Sequence, residues 1–306
     1  MIHVTLLAAA VTFSAYMLPV TDPNPDPQGI AAGSDGAVWF VEYEAGAIGR
    51  VTTAGKVTEY PLPRDRFEGP QSIAAGPDGA MWFTEYIGNA IGRIATDGKI
   101  AEYPIPGELQ RADPIGIAAG SDGAMWFTEN GEAKIGRIAI DGTIRQYELP
   151  GGSEPYAIAR GSDGAMWFTE QNRGIGRIAS DGTIKEYPLG EERDPYTIAA
   201  GPDGMLWFTD RHVNDIGRIS TDGIVEHYNV PQEVQPQGIA VGPDGALWFT
   251  TYGDNELGRI TTDGKVTMYA RPSGEMHENP FGITAGPNRT LWLTRYTSPA
   301  VVRAVF

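Results

Sequence analysis

The chain repeats one pattern of apolar and polar positions seven times. In its clearest copy, residues 71–103, an apolar run ending in glycine is followed by an Asp-Gly turn and the segment Met-Trp-Phe-Thr. The run Ala-Ile-Gly-Arg-Ile, a second Asp-Gly turn and the segment Lys-Ile-Ala-Glu-Tyr complete the copy. Short runs of apolar, β-branched and aromatic residues separated by Asp-Gly are typical of antiparallel strands joined by tight turns. Each repeat therefore predicts four β-strands.

The tryptophans give the period of the repeat, because each lies in a predicted second strand. They recur every 40 to 44 residues, about the length of a propeller blade, at Trp39, Trp82, Trp126, Trp167, Trp207, Trp248 and Trp292. Seven such units predict an all-β, seven-bladed β-propeller with four-stranded antiparallel blades, since radial repetition leaves few exposed sheet edges. We expect residues 1–306 to form this single domain, although the length alone suggests two domains.

The two ends of the chain are predicted to meet in one blade. The last repeat stops at Phe306 after three predicted strands, so it lacks a fourth strand. Residues 13–19, Phe-Ser-Ala-Tyr-Met-Leu-Pro, match the fourth-strand pattern Val-Thr-Glu-Tyr-Pro-Leu-Pro of residues 57–63. We therefore predict that residues 11–19 supply the missing strand and close the ring without a free edge.

The first 15 residues also have an apolar centre and a small-residue end, as secretory signal peptides do. No Lys or Arg precedes the apolar stretch, and cleavage after Ala15 would remove half of the predicted closing strand. Residues 1–10 are thus a candidate leader. We favour a cytoplasmic location, with secretion as the alternative if residues 1–15 act as a signal.

Residues that recur in every repeat are interpreted as scaffold. The tryptophans are expected to fill the space between neighbouring blades. The arginine of each third strand, such as Arg93, is expected to form a hydrogen bond or ion pair on the sheet surface. Turn chemistry explains the aspartates of the Asp-Gly turns. A group repeated seven times does not mark one active site.

Positions that vary between repeats, yet meet at one end of the channel, are better candidates for function. The first set follows the proline that opens each blade and comprises Gln28, Gln71, Ile115, Tyr156, Tyr196, Gln237 and Phe281. The second set lies four residues beyond each tryptophan and comprises Tyr43, Tyr86, Asn130, Gln171, Arg211, Tyr252 and Tyr296. Four tyrosines from consecutive blades, facing Arg211 on the opposite arc, suit a flat organic ligand with carbonyl or hydroxyl groups. The alternative is that the tyrosines only plug the channel mouth.

Two further groups of residues on the same face are candidates for metal binding or acid–base chemistry. The second strands end in the acidic residues Glu42, Glu85, Glu129, Glu170 and Asp210. These carboxylates could bind a hard cation, but their repetition favours a structural hydrogen-bonding role. His212 and His277 are the two histidines in loops predicted on this face, so they are candidates for a base that titrates near neutral pH.

Composition restricts the partners. The formal net charge is −16 and is spread over the repeats, which disfavours nucleic acids and anionic membranes. The chain has no cysteine, so disulfides and thiolate chemistry are excluded. No apolar run approaches the length of a transmembrane helix. We expect a monomer that binds a small organic molecule.

The repeat has the form Pro-x-x-Ile-x-x-Gly-x-Asp-Gly-x-x-Trp-Phe-Thr-Glu, then Ile-Gly-Arg-Ile, then Asp-Gly-x-Ile-x-Glu-Tyr-x-Leu-Pro. This form closely resembles the virginiamycin B lyase (streptogramin B lyase) family over nearly the whole chain. The resemblance implies a seven-bladed propeller. It also implies an enzyme that linearises a cyclic depsipeptide antibiotic by elimination across its ester, using Mg²⁺ and a general-base histidine.

The residues that the resemblance assigns to this chemistry are substituted here. Gln237 stands where the family has histidine, and Phe281 stands where it has the base. Asn279 and Tyr296 replace two metal-binding glutamates of the family. These residues cannot bind Mg²⁺ or accept a proton in the same way. We therefore expect no cofactor, with Mg²⁺ as the one that the resemblance implies.

Two functional hypotheses from different classes remain open, with an interaction scaffold as a third. The first is an enzyme acting on a cyclic or polyketide-like molecule. It is either a divergent lyase with His277 or Glu278 as base, or a metal-free cyclase or isomerase in which tyrosine (such as Tyr296), glutamine and Arg211 polarise a carbonyl and the shape of the pocket does the rest. The second is a propeller that binds a small molecule or peptide without turnover.

Overall fold

The structure is a computed structural model that describes residues 11–19, 25–63, 68–107, 111–231, 234–252, 256–270, 280–295 and 299–306. These residues form 28 β-strands and one 3₁₀ turn. No helix within these ranges is long and apolar enough to cross a membrane.

The strands follow one another blade by blade. The chain begins with β1 (Thr12–Met17), which belongs to the seventh blade. Blade one contains β2 (Pro27–Ala32), β3 (Val38–Glu42), β4 (Ala47–Val51) and β5 (Val57–Pro61). Blade two contains β6 (Pro70–Ala75), β7 (Met81–Glu85), β8 (Ala90–Ile94) and β9 (Ile100–Pro104). Blade three contains β10 (Pro114–Ala119), β11 (Met125–Glu129), the 3₁₀ turn Asn130–Glu132, β12 (Lys134–Ile138) and β13 (Ile144–Glu148).

The remaining blades repeat this order. Blade four contains β14 (Pro155–Arg160), β15 (Met166–Glu170), β16 (Gly174–Ile178) and β17 (Ile184–Pro188). Blade five contains β18 (Pro195–Ala200), β19 (Leu206–Asp210), β20 (Asp215–Ile219) and β21 (Val225–Asn229). Blade six contains β22 (Pro236–Val241), β23 (Leu247–Thr251), β24 (Glu256–Ile260) and β25 (Val266–Ala270). Blade seven contains β26 (Pro280–Gly286), β27 (Thr290–Arg295) and β28 (Ala300–Val305), together with β1.

Each blade is an antiparallel sheet whose first strand is innermost, and the first strands of adjacent blades contact one another around the ring. The prediction of a seven-bladed all-β propeller is therefore confirmed. In every blade the register between the first two strands shifts just after the opening proline, for example between Pro155 and Ile158. Such a bulge leaves residues outside the regular ladder and re-aims their side chains. The residues after the prolines are the ones affected.

The predicted closure is also confirmed. Strand β1 pairs with β28 over six partners, from Thr12 opposite Val305 to Met17 opposite Ala300. The ring of Tyr16 stacks on Trp292 at 5.5 Å, and Leu18 is buried beyond the end of β1. Leu18 packs in one cluster with residues of blade one and blade seven. The closing strand therefore joins the first and last blades.

The repeated residues form the scaffold that the sequence predicts. Trp39 is fully buried and packs in one cluster with Met81 and Phe83 of the next blade. Its indole Nε1 donates to Asp35 Oδ1 at 3.2 Å, and Arg50 Nε donates to Asp35 Oδ2 at 2.7 Å. Burial alone would raise the pKa of Asp35, but the hydrogen bonds from Arg50 and Trp39 outweigh burial and lower it. Ion pairs between the turn aspartate and the third-strand arginine recur in blades two to six.

Candidate functional site

A threonine in the second strand of one blade fixes the first strand of the next. In blade four, Thr169 Oγ1 accepts a hydrogen bond from Ala157 N at 3.0 Å and donates to the carbonyl of Tyr196 in blade five at 2.9 Å. The same bond reaches the first strand of the next blade from Thr84, Thr128, Thr209, Thr250 and Thr294. The carbonyl acceptor in each case belongs to the residue after the opening proline, so the backbone of these residues is held by the neighbouring blade.

The residues of the second variable set are hydrogen-bonded to the segment that leads into the first strand of their own blade. The backbone N–H of Arg211 donates to the carbonyl of Asp194 at 3.3 Å, and that of Tyr252 donates to the carbonyl of Gln235 at 3.1 Å. The acceptor in each case is the residue just before the opening proline. The two variable sets therefore lie side by side at one mouth of the channel.

A cavity of about 400 Å³ lies at this mouth. It is lined by Gln28, Tyr196, Arg211, Gln235, Gln237, Tyr252, Pro280 and Phe281, which come from blades five, six, seven and one. Six of these eight residues are among the predicted site residues, and the cavity volume lies in the range of small-molecule sites. The lining combines one cation, three amides, three aromatic rings and one proline.

Arg211 is stacked on an aromatic pair at one side of the cavity. Its guanidinium carbon lies 3.9 Å from the ring centroid of Tyr196, within cation–π distance. Tyr196 in turn stacks on Tyr156 at 4.3 Å, the two hydroxyls share a hydrogen bond, and Phe281 meets the Tyr196 ring edge-on at 6.3 Å. Burial raises the pKa of both tyrosines, so both phenols are neutral and the positive charge belongs to Arg211.

The loop that carries Arg211 is anchored by a buried ionic cluster. Asp210 is fully buried, and its Oδ1 accepts hydrogen bonds from the backbone N–H groups of Asp194 at 3.1 Å and His212 at 3.2 Å. Arg193 pairs with Asp210 at 3.5 Å and also with Asp215. Burial would lower the pKa of Arg193, but its bond and charge contacts with the aspartates raise it. This arrangement holds the backbone on both sides of Arg211.

The opposite side of the cavity presents glutamine amides. Gln28 Nε2 donates to Asp26 Oδ2 at 3.1 Å, whereas its buried Oε1 has no hydrogen-bond partner among the described residues. Burial raises the pKa of Asp26 to about 6, although the bond from Gln28 lowers it and the charge of Glu44 adds to the increase. Gln237 is buried, and its Nε2 donates to the carbonyl of Gln235 at 3.3 Å. Both glutamines are therefore held by hydrogen bonds that their amide nitrogens donate.

The other predicted site residues lie elsewhere or outside the described residues. Gln71 and Tyr156 line a second cavity, of about 180 Å³, between the first strands of the blades. Tyr43, Tyr86 and Gln171 are half-buried and do not belong to the linings of these two cavities, and His212 is exposed. His277, Glu278 and Tyr296 lie outside the described residues, so their roles stay predictions.

Sequence reasoning missed Gln235 and Pro280. Gln235 precedes the proline that opens blade six and has a left-handed backbone, with φ of 44°. Asp26 and Asp113 occupy the same position in blades one and three, with φ of 48° and 46°. The sequence could have pointed to Gln235, because blades one, three, four and five have an acidic residue at this position and blade six has an uncharged amide.

The buried carboxylates at the ends of the second strands have altered pKa values. Burial, with a smaller contribution from the charge of Glu59, raises the pKa of Glu42 to about 8. Burial raises the pKa of Glu129 to about 7, although Gln146 donates a hydrogen bond to its Oε2 at 2.7 Å. Glu170 accepts a hydrogen bond from Ser153. Glu129 and Glu170 thus bond within the scaffold through one oxygen each, whereas Oε1 of Glu42 is buried without a hydrogen-bond partner among the described residues, so the structural role of the whole set stays a prediction.

The described donors at the mouth do not fit Mg²⁺. That ion binds carboxylate, water and phosphate oxygens, whereas the eight lining residues that the structure describes include no carboxylate. Phe281, at the position that the family resemblance assigns to the base, offers neither a ligand atom nor a proton acceptor. Among the described residues there is no group of three or more His, Cys, Asp or Glu side chains that could hold a metal ion.

Comparison with known proteins agrees with this architecture. The model of the virginiamycin B lyase family matches residues 3–194 and 190–305. A streptogramin B lyase structure is 35% identical, covers 96% of this chain and 97% of its own, and superposes with a TM-score of 0.89. The virginiamycin B lyase of Staphylococcus aureus is 37% identical, with coverage of 96% and 100% and a TM-score of 0.88.

Two further matches involve the same S. aureus enzyme. A catalytically inactive histidine-to-alanine variant, solved with quinupristin, is 36% identical over 97% of this chain and 100% of its own, with a TM-score of 0.88. A sequence alignment with the enzyme gives 40% identity over 51 residues, which span only 17% of each chain. The match of the family model to nearly the whole chain and the closeness of these structures establish the family. The chain belongs to the virginiamycin B lyase family.

Proposed function

We propose that this protein is a lyase-like enzyme that acts on a cyclic or polyketide-like small organic molecule at the channel mouth. Its chemistry would use neither the Mg²⁺ ion nor the histidine base that the family resemblance implies. The observation that carries the proposal is the asymmetry of the cavity lining, which comes from four consecutive blades. A sevenfold scaffold is satisfied by one repeated residue, whereas a single ligand bound off the axis needs different groups on different sides.

The lining assigns a role to each side of the cavity. Tyr252 and Phe281 offer aromatic faces and edges for the flat part of a ring system. Arg211 supplies positive charge, and the amides of Gln28 and Gln237 supply hydrogen-bonding groups. A fixed cation and amide N–H groups stabilise the negative charge that develops on a carbonyl oxygen, and they do so without reorganising during the reaction.

Two forms of the reaction follow from this lining. In a divergent lyase, His277 or Glu278 accepts the proton that an elimination removes, and Arg211 stabilises the oxygen that becomes negative. In a metal-free cyclase or isomerase, polarisation by Arg211 and the shape of the cavity supply the catalysis. The described lining contains no histidine and no carboxylate. The two reactions therefore differ in whether a base from outside this lining takes part.

An assay of substrate conversion, with the products detected by liquid chromatography and mass spectrometry, tests the proposal. Purified protein is incubated, with and without EDTA, with a type B streptogramin and with a panel of macrocyclic lactones and lactams. Elimination or isomerisation gives a product of unchanged mass and altered retention, whereas hydrolysis adds the mass of one water. We expect conversion of a panel member that EDTA does not affect and that Arg211→Gln lowers about 10- to 100-fold, as loss of a charged hydrogen bond does.

The control is Arg145→Gln, which removes the same charge from an exposed position on the outer strand β13 and should leave conversion unchanged. Opening of the streptogramin that EDTA abolishes would refute the metal-free chemistry. Conversion unaffected by Arg211→Gln would refute the assignment of the site.

A second candidate function is binding without turnover. It is favoured by one observation, namely that none of the eight lining residues is a histidine or a carboxylate. The same panel distinguishes it, because a pure binding protein would show saturable association with a panel member and no product after prolonged incubation.

A further inference from the structure

We infer that the mouth cavity selects ligands that carry a carboxylate, which pairs with Arg211, next to a flat apolar body. The inference rests on the proposal that this cavity is the functional site and goes beyond it by naming the ligand class. A neutral macrocycle would need only polarisation of its carbonyl groups. The charge of Arg211 itself favours an anionic partner.

Arg211 is the only charged residue among the eight that line the cavity. It forms no ion pair within 4.0 Å with any described carboxylate, although the third-strand arginines of blades one to six pair with turn aspartates. Asp194 feels the charge of Arg211, but burial raises the pKa of Asp194 more than Arg211 lowers it. An arginine that faces a cavity and has no ion-pair partner among the described residues is suited to pair with the charge of a ligand.

The guanidinium is also held in a fixed position. It stacks on Tyr196, which is itself held between Tyr156 and the edge of Phe281. Asp210 fixes the backbone of the loop by accepting hydrogen bonds from the N–H groups of Asp194 and His212. Because the side chain is already ordered, a ligand loses less of its binding energy to immobilising it. Stacking uses the face of the guanidinium, and the Arg211 side chain also donates a hydrogen bond to the Tyr196 hydroxyl. Its remaining N–H groups can bind the oxygens of a carboxylate.

The rest of the lining specifies what is attached to the carboxylate. Tyr252 and Phe281 contribute aromatic surface, which favours a planar apolar body. The amide side chains of Gln28 and Gln237 lie in the lining, so a polar group on that body would be recognised. A volume of about 400 Å³ admits an aromatic acid of two or more fused rings or a short aromatic peptide with a free terminal carboxylate.

A matched pair of probes tests the inference by ligand-observed NMR titration. The probes are naphthalene-2-acetate and its neutral primary amide, which have the same ring and nearly the same shape. We expect wild type to bind the acid at least about tenfold more tightly than the amide, as a charge-assisted hydrogen bond allows. Arg211→Gln should bind acid and amide equally. Arg211→Lys should keep part of the preference, and Arg145→Gln should keep all of it.

Equal affinity of wild type for the two probes would overturn the inference, as would a preference that persists in Arg211→Gln. Failure of both probes to bind would overturn it too, because the body and the charge are both specified. The proposed enzyme fails in a different way. Preference for the acid through Arg211, with no conversion of any cyclic substrate, leaves the ligand class standing and refutes turnover.

Discussion

Removal of the closing strand should destabilise the whole propeller, since β1 is the only element that gives the last blade its fourth strand. We expect deletion of residues 1–18 to be severe and deletion of residues 1–10 to be mild, because only the longer deletion removes the strand. The shorter deletion is the matched control.

The magnitude follows from the contacts that are lost. Leu18 is 2% exposed and packs between blades one and seven, and removal of such a side chain costs about 2–5 kcal/mol. The stack of Tyr16 on Trp292 adds about 0.5–1.5 kcal/mol. The ladder to β28 contributes little net free energy, because its hydrogen bonds are offset by the cost of ordering the backbone. The expected loss is therefore roughly 3–6 kcal/mol, a large fraction of the stability of an ordinary domain.

Urea unfolding and thermal melts followed by circular dichroism measure the effect. At about 2–4 °C per kcal/mol for a domain of this size, the longer deletion should lower the Tm by on the order of 10 °C. Size-exclusion chromatography should also detect association through the exposed edge of β28. If the two deletions unfold at the same urea concentration and elute alike, β1 does not close the ring in solution.

Two further predictions concern the scaffold around the site. Thr169→Val leaves the N–H of Ala157 and the carbonyl of Tyr196 without their partner and should lower the free energy of unfolding in urea by about 1–3 kcal/mol. The control is Val41→Thr at the same position in blade one, which should not lower it. Equal effects of the two substitutions would refute the inter-blade bond. Burial holds the pKa of Glu42 at about 8 in the folded protein, above its usual value of 4.5. Between these pH values the folded protein keeps a proton that the unfolded chain has lost, so stability falls as pH rises through them. Glu42→Gln cannot ionise and should flatten the dependence of stability on pH between 5 and 9 and stabilise the protein at pH 9 by about 1–3 kcal/mol; an unchanged pH profile would show that Glu42 is ionised in the fold.

Local signals in the amino-acid sequence are enough to predict the architecture. The tryptophan period, the Asp-Gly turns and the apolar runs are local signals, and each specifies a strand or a turn without reference to distant residues. The closing strand was also readable, because residues 13–19 carry the pattern of a fourth strand at the wrong end of the chain. Interpretation of the repeated Trp, Asp and Arg as scaffold needed only the observation that they recur.

Which mouth residues share a cavity depends on the packing of the folded ring and could not be predicted from the sequence. Both variable sets were identified by their place in the repeat, but Tyr43 and Tyr86 do not line the cavity and Gln235 does. The reason is that a lining depends on how side chains pack across blades, as Arg211 does on Tyr196, and not on position along a strand. The raised pKa of Glu42 likewise comes from burial between strands, and burial is a property of the assembled ring.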